Sequence, residues 1–181
     1  MSISTTLPRV LNLGSGLKPI PGAVNVDITA ATRPDVVHNL NTVPWPFDAD
    51  TFEEVIAKDV IEHLDDILVT MEEIHRIAKA NAVVRVTVPH FSSVNAFTDP
   101  THKHYFGRSS FHYFTGENTF SFYTKARFRR RSAQIIFRPT LVNKLLWRLA
   151  ARWPDEYERR WAWIFPAWFI SVELEVIKDA V

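Results

Sequence analysis

At 181 residues, with 46% hydrophobic and 23% charged side chains, the chain is long enough to bury a sizeable core and too apolar to be disordered. A formal net charge of +1 argues against a protein built mainly to hold nucleic acid or an anionic membrane. The absence of cysteine excludes disulfides and thiolate metal sites and fits a reducing compartment.

Met1–Arg9 is polar and lacks the basic-then-apolar pattern of a signal peptide. The longest apolar stretch, Trp161–Val172, is broken by Pro166 and falls short of the about 20 residues that a membrane-spanning helix needs. A cytoplasmic location is therefore expected. Arg9–Leu13 reads as a short strand that runs directly into Gly14-Ser15-Gly16. Ala23–Ile28 alternates with period two and carries an acid, Asp27, at its end; Asp35–Leu40 gives a short third strand. Pro44-Trp45-Pro46 breaks the chain before a fourth strand at Glu54–Lys58.

From Leu64 the apolar positions Ile67, Leu68, Met71, Ile74 and Ile77 share one helical face, with Glu72, Glu73 and Arg76 opposite. Asp65 and Asp66 suit the start of that helix. Ala82–Val88 is a fifth strand, stopped by Pro89, and residues 89–125 read as loops and short helices rich in aromatics. Arg127–Phe137 and Ile170–Lys178 alternate as two further strands. Between them Leu141, Val142, Leu145, Leu146 and Leu149 mark an amphipathic helix. Strands alternating with helical or irregular connections imply a parallel sheet covered on both faces. A single domain over residues 1–181 is expected, with a Trp-rich helical insertion at about 140–169.

The chemistry-bearing pattern is strand, glycine turn, strand, acid: Val10–Gly16 followed by Val24–Asp27. In an open α/β sheet, ligands bind in the crevice beyond the carboxyl ends of the strands. Glycines in the first turn let a cofactor lie against bare backbone, and a carboxylate ending the next strand can accept hydrogen bonds from both ribose hydroxyls. A dinucleotide fingerprint would need a third glycine at position 19, where this chain has Pro19.

Several segments in this order resemble the class I S-adenosylmethionine-dependent methyltransferases, in particular small bacterial proteins with a methyltransferase type 11-like domain. They are LNLGSG (Leu11–Gly16), VNVDI (Val24–Ile28), VVHNL (Val36–Leu40), the long stretch Pro44–Leu64, EEIHRIAK (Glu72–Lys79), VRVTVPHFSS (Val84–Ser93) and DPTHKHYF (Asp99–Phe106). The resemblance covers roughly residues 8–106. It implies a Rossmann-like three-layer sandwich, with a mainly parallel seven-stranded sheet and an antiparallel last strand. It also implies S-adenosylmethionine as cofactor and methyl transfer to an acceptor that it does not identify, a small molecule being favoured.

Carried over by position, the resemblance puts Gly14, Ser15 and Gly16 beneath the methionine and ribose portions. Asp27 would hold the ribose, Ile28 would pack on adenine, and Asn39 and Leu40 would lie at the adenine edge. Lys58, Asp59 and His63 would line the methionine end. Two departures stand out. The interval from Gly16 to Asp27 holds Pro19, Pro21 and Gly22, too short for the usual first helix, and Asn12 stands where an acid is commoner.

Methyl transfer from a sulfonium needs a base only if the acceptor is a hydroxyl or a protonated amine. Among His63, His90, His102, His104 and His112, the candidates for that base are His90, after the fifth strand, and His102 in the following loop. Asp99, His102 and His104 invite a metal reading, but the two histidines, at i and i+2, cannot share a helical face and have no third partner of diagnostic spacing, so no metal is expected. Arg127, Arg129 and Arg131 would share a strand face, suited to an anionic group or to protecting an edge strand. Nucleic-acid binding is not expected. Tyr157, Trp161, Phe165 and Trp168 fall at helical spacing if Pro166 permits, and with Arg148, Arg152, Arg159 and Arg160 they are compatible with peripheral membrane contact. The competing reading is a non-catalytic cofactor-binding or scaffold protein that acts through this Trp-rich surface.

Overall fold

The computed structural model describes residues 9–116 and 121–178. The polar N-terminal stretch read above therefore lies, apart from Arg9, outside the described residues, as do the side chains of Leu141 and Val142 and a part of the 89–125 stretch. Seven strands form one sheet: β1 (Val10–Leu13), β2 (Val24–Asp27), β3 (Val36–Val37), β4 (Phe52–Lys58), β5 (Ala78–Pro89), β6 (Arg127–Ile136) and β7 (Phe169–Ile177). Their order is β3-β2-β1-β4-β5-β7-β6, all parallel except β7, which runs antiparallel to both neighbours. The mainly parallel, seven-stranded Rossmann-like sheet with an antiparallel last strand is thus present.

Alternation decides which side of each strand is buried. Leu11, Leu13, Val55, Ala57, Val84, Val86, Val172 and Leu174 are buried in a core shared with Met71, Ile74 and Ile77 of α1 (Ile67–Ile77) and with Phe106, Phe111 and Phe114. Asp66 caps α1 by accepting the Leu68 and Val69 N–H groups at 2.8 and 3.1 Å, so the helix starts three residues later than its apolar pattern alone suggests.

The opposite face carries a thinner layer than the three-layer expectation. Glu54, Arg85 and Glu173 pair across β4, β5 and β7, and Arg131 extends the ladder to Glu173 and Glu175, reaching Glu175 at 2.9 Å. Ion pairs let this part of the sheet face water where a helix would otherwise be needed. Arg129 also bonds Glu175 at 2.9 Å, so the arginine cluster of β6 serves the sheet edge. At the β1–β2 end the cover is a loop: Asn25 accepts the Ile20 N–H at 2.8 Å and donates to the Ile20 carbonyl at 3.2 Å. Asn12 donates to the same Asn25 side chain at 2.9 Å, which explains an amide where an acid is commoner.

Between β6 and β7 the chain forms α3 (Leu141–Arg152), α4 (Pro154–Glu156), which follows the four-residue α2 (Asn95–Thr98) in order, and a wide helical turn over Tyr157–Trp161. Tyr157, Trp161 and Phe165 stay together after that turn, whereas Trp168 leaves it and donates its backbone N–H to the Ile136 carbonyl beside β6. Leu145 and Leu149 of the expected apolar stripe are exposed; Leu146 and Ala150 pack inward. No helix among the described residues is long and apolar enough to cross a membrane.

Candidate functional site

The chain passes from β1 to β2 and β3 on one side and returns through β4 on the other, so β1 and β4 flank the switch point at which α/β sheets bind ligands. A cleft of about 480 Å³ opens there, lined by Asn12, Gly14, Ser15, Gly16, Lys58 and Asp59 together with Leu17, Lys18, Ile20 and Ile56. That volume falls within the range of about 300–1,000 Å³ usual for small-molecule sites.

The turn itself is fixed from two sides. Ser15 donates its N–H to the Val26 carbonyl at 2.9 Å, and Gly16 donates its N–H to Asp27 Oδ2 at 2.7 Å. Asp27 Oδ1 accepts the Thr29 N–H at 3.1 Å, which leaves lone pairs of this 8%-exposed carboxylate for further donors. Gly14 and Gly16 both have positive φ, +60° and +50°, but for different reasons. A Cβ on Gly14 would sit 2.5 Å from Val60 Cγ2, whereas nothing lies within 4 Å of one on Gly16. Gly14→Ala should therefore cost more than about 2 kcal/mol, from strain plus overlap with a buried side chain. Gly16→Ala should cost only the backbone strain of about 1–2 kcal/mol. Urea denaturation of the two variants checks the order.

The other expected cofactor residues divide. Ile28 is 66% exposed beside Asp27. Asn39 closes its own turn, accepting the Asn41 N–H on Oδ1 at 3.0 Å. Leu40 is in the core, its carbonyl accepting the Trp45 indole N–H at 3.0 Å. Asp59 follows Lys58 with φ of 53°, and partial burial raises its carboxyl above the usual range against the pull of Lys58 and Lys18.

His90 does not present itself to a ligand, contrary to the base role expected for it. It is 0% exposed, Nδ1 is 2.8 Å from Ser92 Oγ, and Nε2 is 3.1 Å from Glu158 Oε1. A base must reach the proton it removes; this ring instead ties the end of β5 to the Tyr157–Trp161 turn. Burial works to raise Glu158, but His90 and the Arg108 N–H at 2.7 Å hold its carboxyl below the usual range. Glu158→Ala should destabilise the fold by about 2–3 kcal/mol, because it leaves buried donors unpaired; a thermal melt measures it.

His102 belongs to a cluster that spacing did not disclose. The Glu62 carbonyl accepts the N–H groups of Lys103 and His104 at 2.8 and 3.3 Å, and His104 Nε2 donates to the Leu64 carbonyl at 2.9 Å. These bonds clamp the 99–104 loop onto the Ile61–His63 turn after β4. The His63 and His102 rings then meet edge to face at 4.7 Å, with Glu62 Oε1 4.0 Å from His102 Nε2. Glu62 is 1% exposed, and neither of its carboxyl oxygens has a hydrogen-bond partner among the described residues. Burial pushes this carboxyl up to about 7 and lowers His63, with His102 adding to the latter. Asp59 links the cluster to the cleft, since its charge acts on both Glu62 and His63.

Solved structures share this architecture over most of their length. An S-adenosylmethionine-dependent methyltransferase from Archaeoglobus fulgidus matches with a TM-score of 0.65 at 15% identity, covering 93% of this chain and 86% of its own. One from Mesorhizobium loti matches with a TM-score of 0.58 at 13% identity, over 93% and 90%. The cyclase SpnF matches with a TM-score of 0.58 at 12% identity, over 94% and 74%. No family profile and no curated protein matches the sequence. The chain has the fold of the class I S-adenosylmethionine-dependent methyltransferases.

Proposed function

We propose that the protein binds S-adenosylmethionine in the β1–β4 cleft and transfers its methyl group to a small-molecule acceptor. The observation that carries this reading is the glycine turn, pinned to Asp27 by the 2.7 Å bond from Gly16 and open above Gly16. Three further features fit the cofactor. Ser15 Oγ is buried without a hydrogen-bond partner among the described residues. Asp27 retains lone pairs suited to ribose hydroxyls. Ile28 offers an exposed apolar side chain next to it, suited to a purine face.

When bound, the cofactor supplies an activated methyl carbon. The chain's own residues then have to align the acceptor and exclude water, and good positioning can supply on the order of 7–11 kcal/mol. Asn39 is exposed in the turn after β3, its amide nitrogen available to a ligand, and Leu40 supports the site from the core. Lys58 and Asp59 border the cleft, with His63 beyond them.

A second cavity favours an apolar acceptor. Leu146, Leu149, Trp153, Tyr157, Trp161 and Phe165, with Glu156, enclose about 500 Å³. The His90–Glu158 contact brings this helical segment to the carboxyl end of β5. The same surface supports the alternative, a non-catalytic binding protein, because Trp153, Trp161, Trp163 and Ile164 are at least half exposed. SpnF illustrates that the fold also occurs in a cyclase, and a fold by itself does not name a reaction.

Incubating the protein with S-adenosylmethionine and pooled apolar acceptors, and measuring S-adenosylhomocysteine, tests the transferase reading. Acceptor-dependent product that is lost in Gly16→Ala supports it. Cofactor binding with no product from any pool would favour the binding-protein reading.

A further inference from the structure

We propose that Glu62, His63 and His102 form a binding site for a divalent first-row transition-metal ion, with zinc as the reference case. One ligand atom from each of the three residues lies within 4.8 Å of the others. Zinc–ligand bonds of about 2.0–2.1 Å require tetrahedral ligands roughly 3.4 Å apart, a contraction that side-chain rotation can supply. Two imidazoles and one carboxylate make a donor set that zinc and its first-row neighbours accept. Three protein ligands leave a position for water or for an oxygen donor.

The hydrogen bonds around the cluster prepare the lone pairs. The Ala96 carbonyl can only accept, so His102 Nδ1, 3.1 Å away, carries the proton and Nε2 presents a lone pair toward Glu62. Thr101 gives its hydroxyl proton to Asp99 Oδ1 at 2.6 Å and so accepts from His63 Nδ1 at 2.8 Å, leaving His63 Nε2 with its lone pair. A ring N–H directed to a backbone carbonyl, or through a hydroxyl to a carboxylate, is the usual way a metal-binding histidine is oriented. Glu62 is the independent sign. A carboxyl that is 1% exposed with both oxygens unpartnered among the described residues is a costly arrangement that a cation would compensate.

Asp99 and His104 are not ligands in this arrangement: the first holds Thr101, and the second bonds the Leu64 carbonyl. A ligand role for His102 replaces the base role expected from its position, because one lone pair cannot serve both.

The test is calorimetric titration of the chelator-treated, full-length protein with zinc chloride, without S-adenosylmethionine. We expect one ion per chain with a dissociation constant in the micromolar range or below. His102→Ala and Glu62→Gln should each weaken binding by at least about 100-fold, beyond what loss of an outer partner causes, and His38→Ala, which removes a histidine bonded to the Thr42 carbonyl outside the cluster, should leave it nearly unchanged. Should Glu62→Gln fail to fold, His102→Ala decides, since its side chain comes from a surface loop. No saturable binding to the folded wild type, or binding that His102→Ala leaves intact, overturns the site. The readout is independent of the cofactor, so failure here leaves the methyltransferase reading standing.

Discussion

Replacing Asp27 with alanine is expected to lower the affinity for S-adenosylmethionine by on the order of 100-fold while the protein remains folded. The ribose hydroxyls would donate to an anionic acceptor, and bonds to charged groups are worth about 1.5–3 kcal/mol each. Losing two of them costs at least about 3 kcal/mol, which is about two powers of ten in the dissociation constant. The side chain also has a structural task, accepting the N–H groups of Gly16 and Thr29. Asp27→Asn separates the two. It keeps a carbonyl oxygen for Gly16 and loses the charge, so affinity should fall by about 10-fold with the turn preserved. Equal affinities for wild type and both variants would remove Asp27 from the binding site.

Glu73→Ala is expected to destabilise the fold by about 2–4 kcal/mol, the partial exposure of Arg76 reducing the cost of a fully buried broken pair. Glu73 Oε2 accepts the Trp45 N–H at 2.7 Å, and both its oxygens accept from Arg76. Arg76 in turn donates to the carbonyls of Phe47 and Trp45 at 2.8 and 3.1 Å. This network fastens the proline-rich 44–48 segment to α1 and seats the buried Trp45 ring.

Burial alone would raise Glu73, but Arg76 and the Trp45 N–H hold its carboxyl below the ordinary 4.5. A depressed carboxyl contributes stability that is fully present above the unfolded value and is lost as the pH falls through the folded one. Urea denaturation should therefore show a gap between wild type and Glu73→Gln that is constant above about pH 5.5 and narrows below pH 4.5. A gap that widens in acid would contradict this assignment.

Strands were legible wherever apolar residues alternated or clustered. Leu11, Leu13, Val24 and Val26 marked β1 and β2, and Val84, Val86 and Val88 marked β5. The glycine turn and Asp27 were legible because strained backbone and a strand-ending acid leave direct traces in residue type. The thinning of one layer was only half visible: the interval after Gly16 was too short for a helix, but Glu54, Arg85 and Glu173 looked like ordinary polar positions until the sheet aligned them.

What sequence could not give was the depth of individual side chains and contacts between distant segments. His90 looked like a rim residue, and only its neighbours Ser92 and Glu158 enclose it. Leu40 ends a short strand by pattern, whereas β3 stops at Val37 and Leu40 lies in the following turn with its side chain in the core. His63 was expected at the methionine end of the cleft, and nothing in its spacing, or in that of Glu62, points to His102 in another loop. The adjacent Glu-His pair, four residues past the end of β4 at Lys58, was the one available signal.

The most direct test of the central claim is calorimetric titration of the folded wild-type protein with S-adenosylmethionine and S-adenosylhomocysteine. We expect saturable binding of both at one site per chain, with dissociation constants in the micromolar range. Absence of heat with either ligand, in protein that circular dichroism and melting show to be folded, would contradict the assignment of the β1–β4 cleft as a cofactor site.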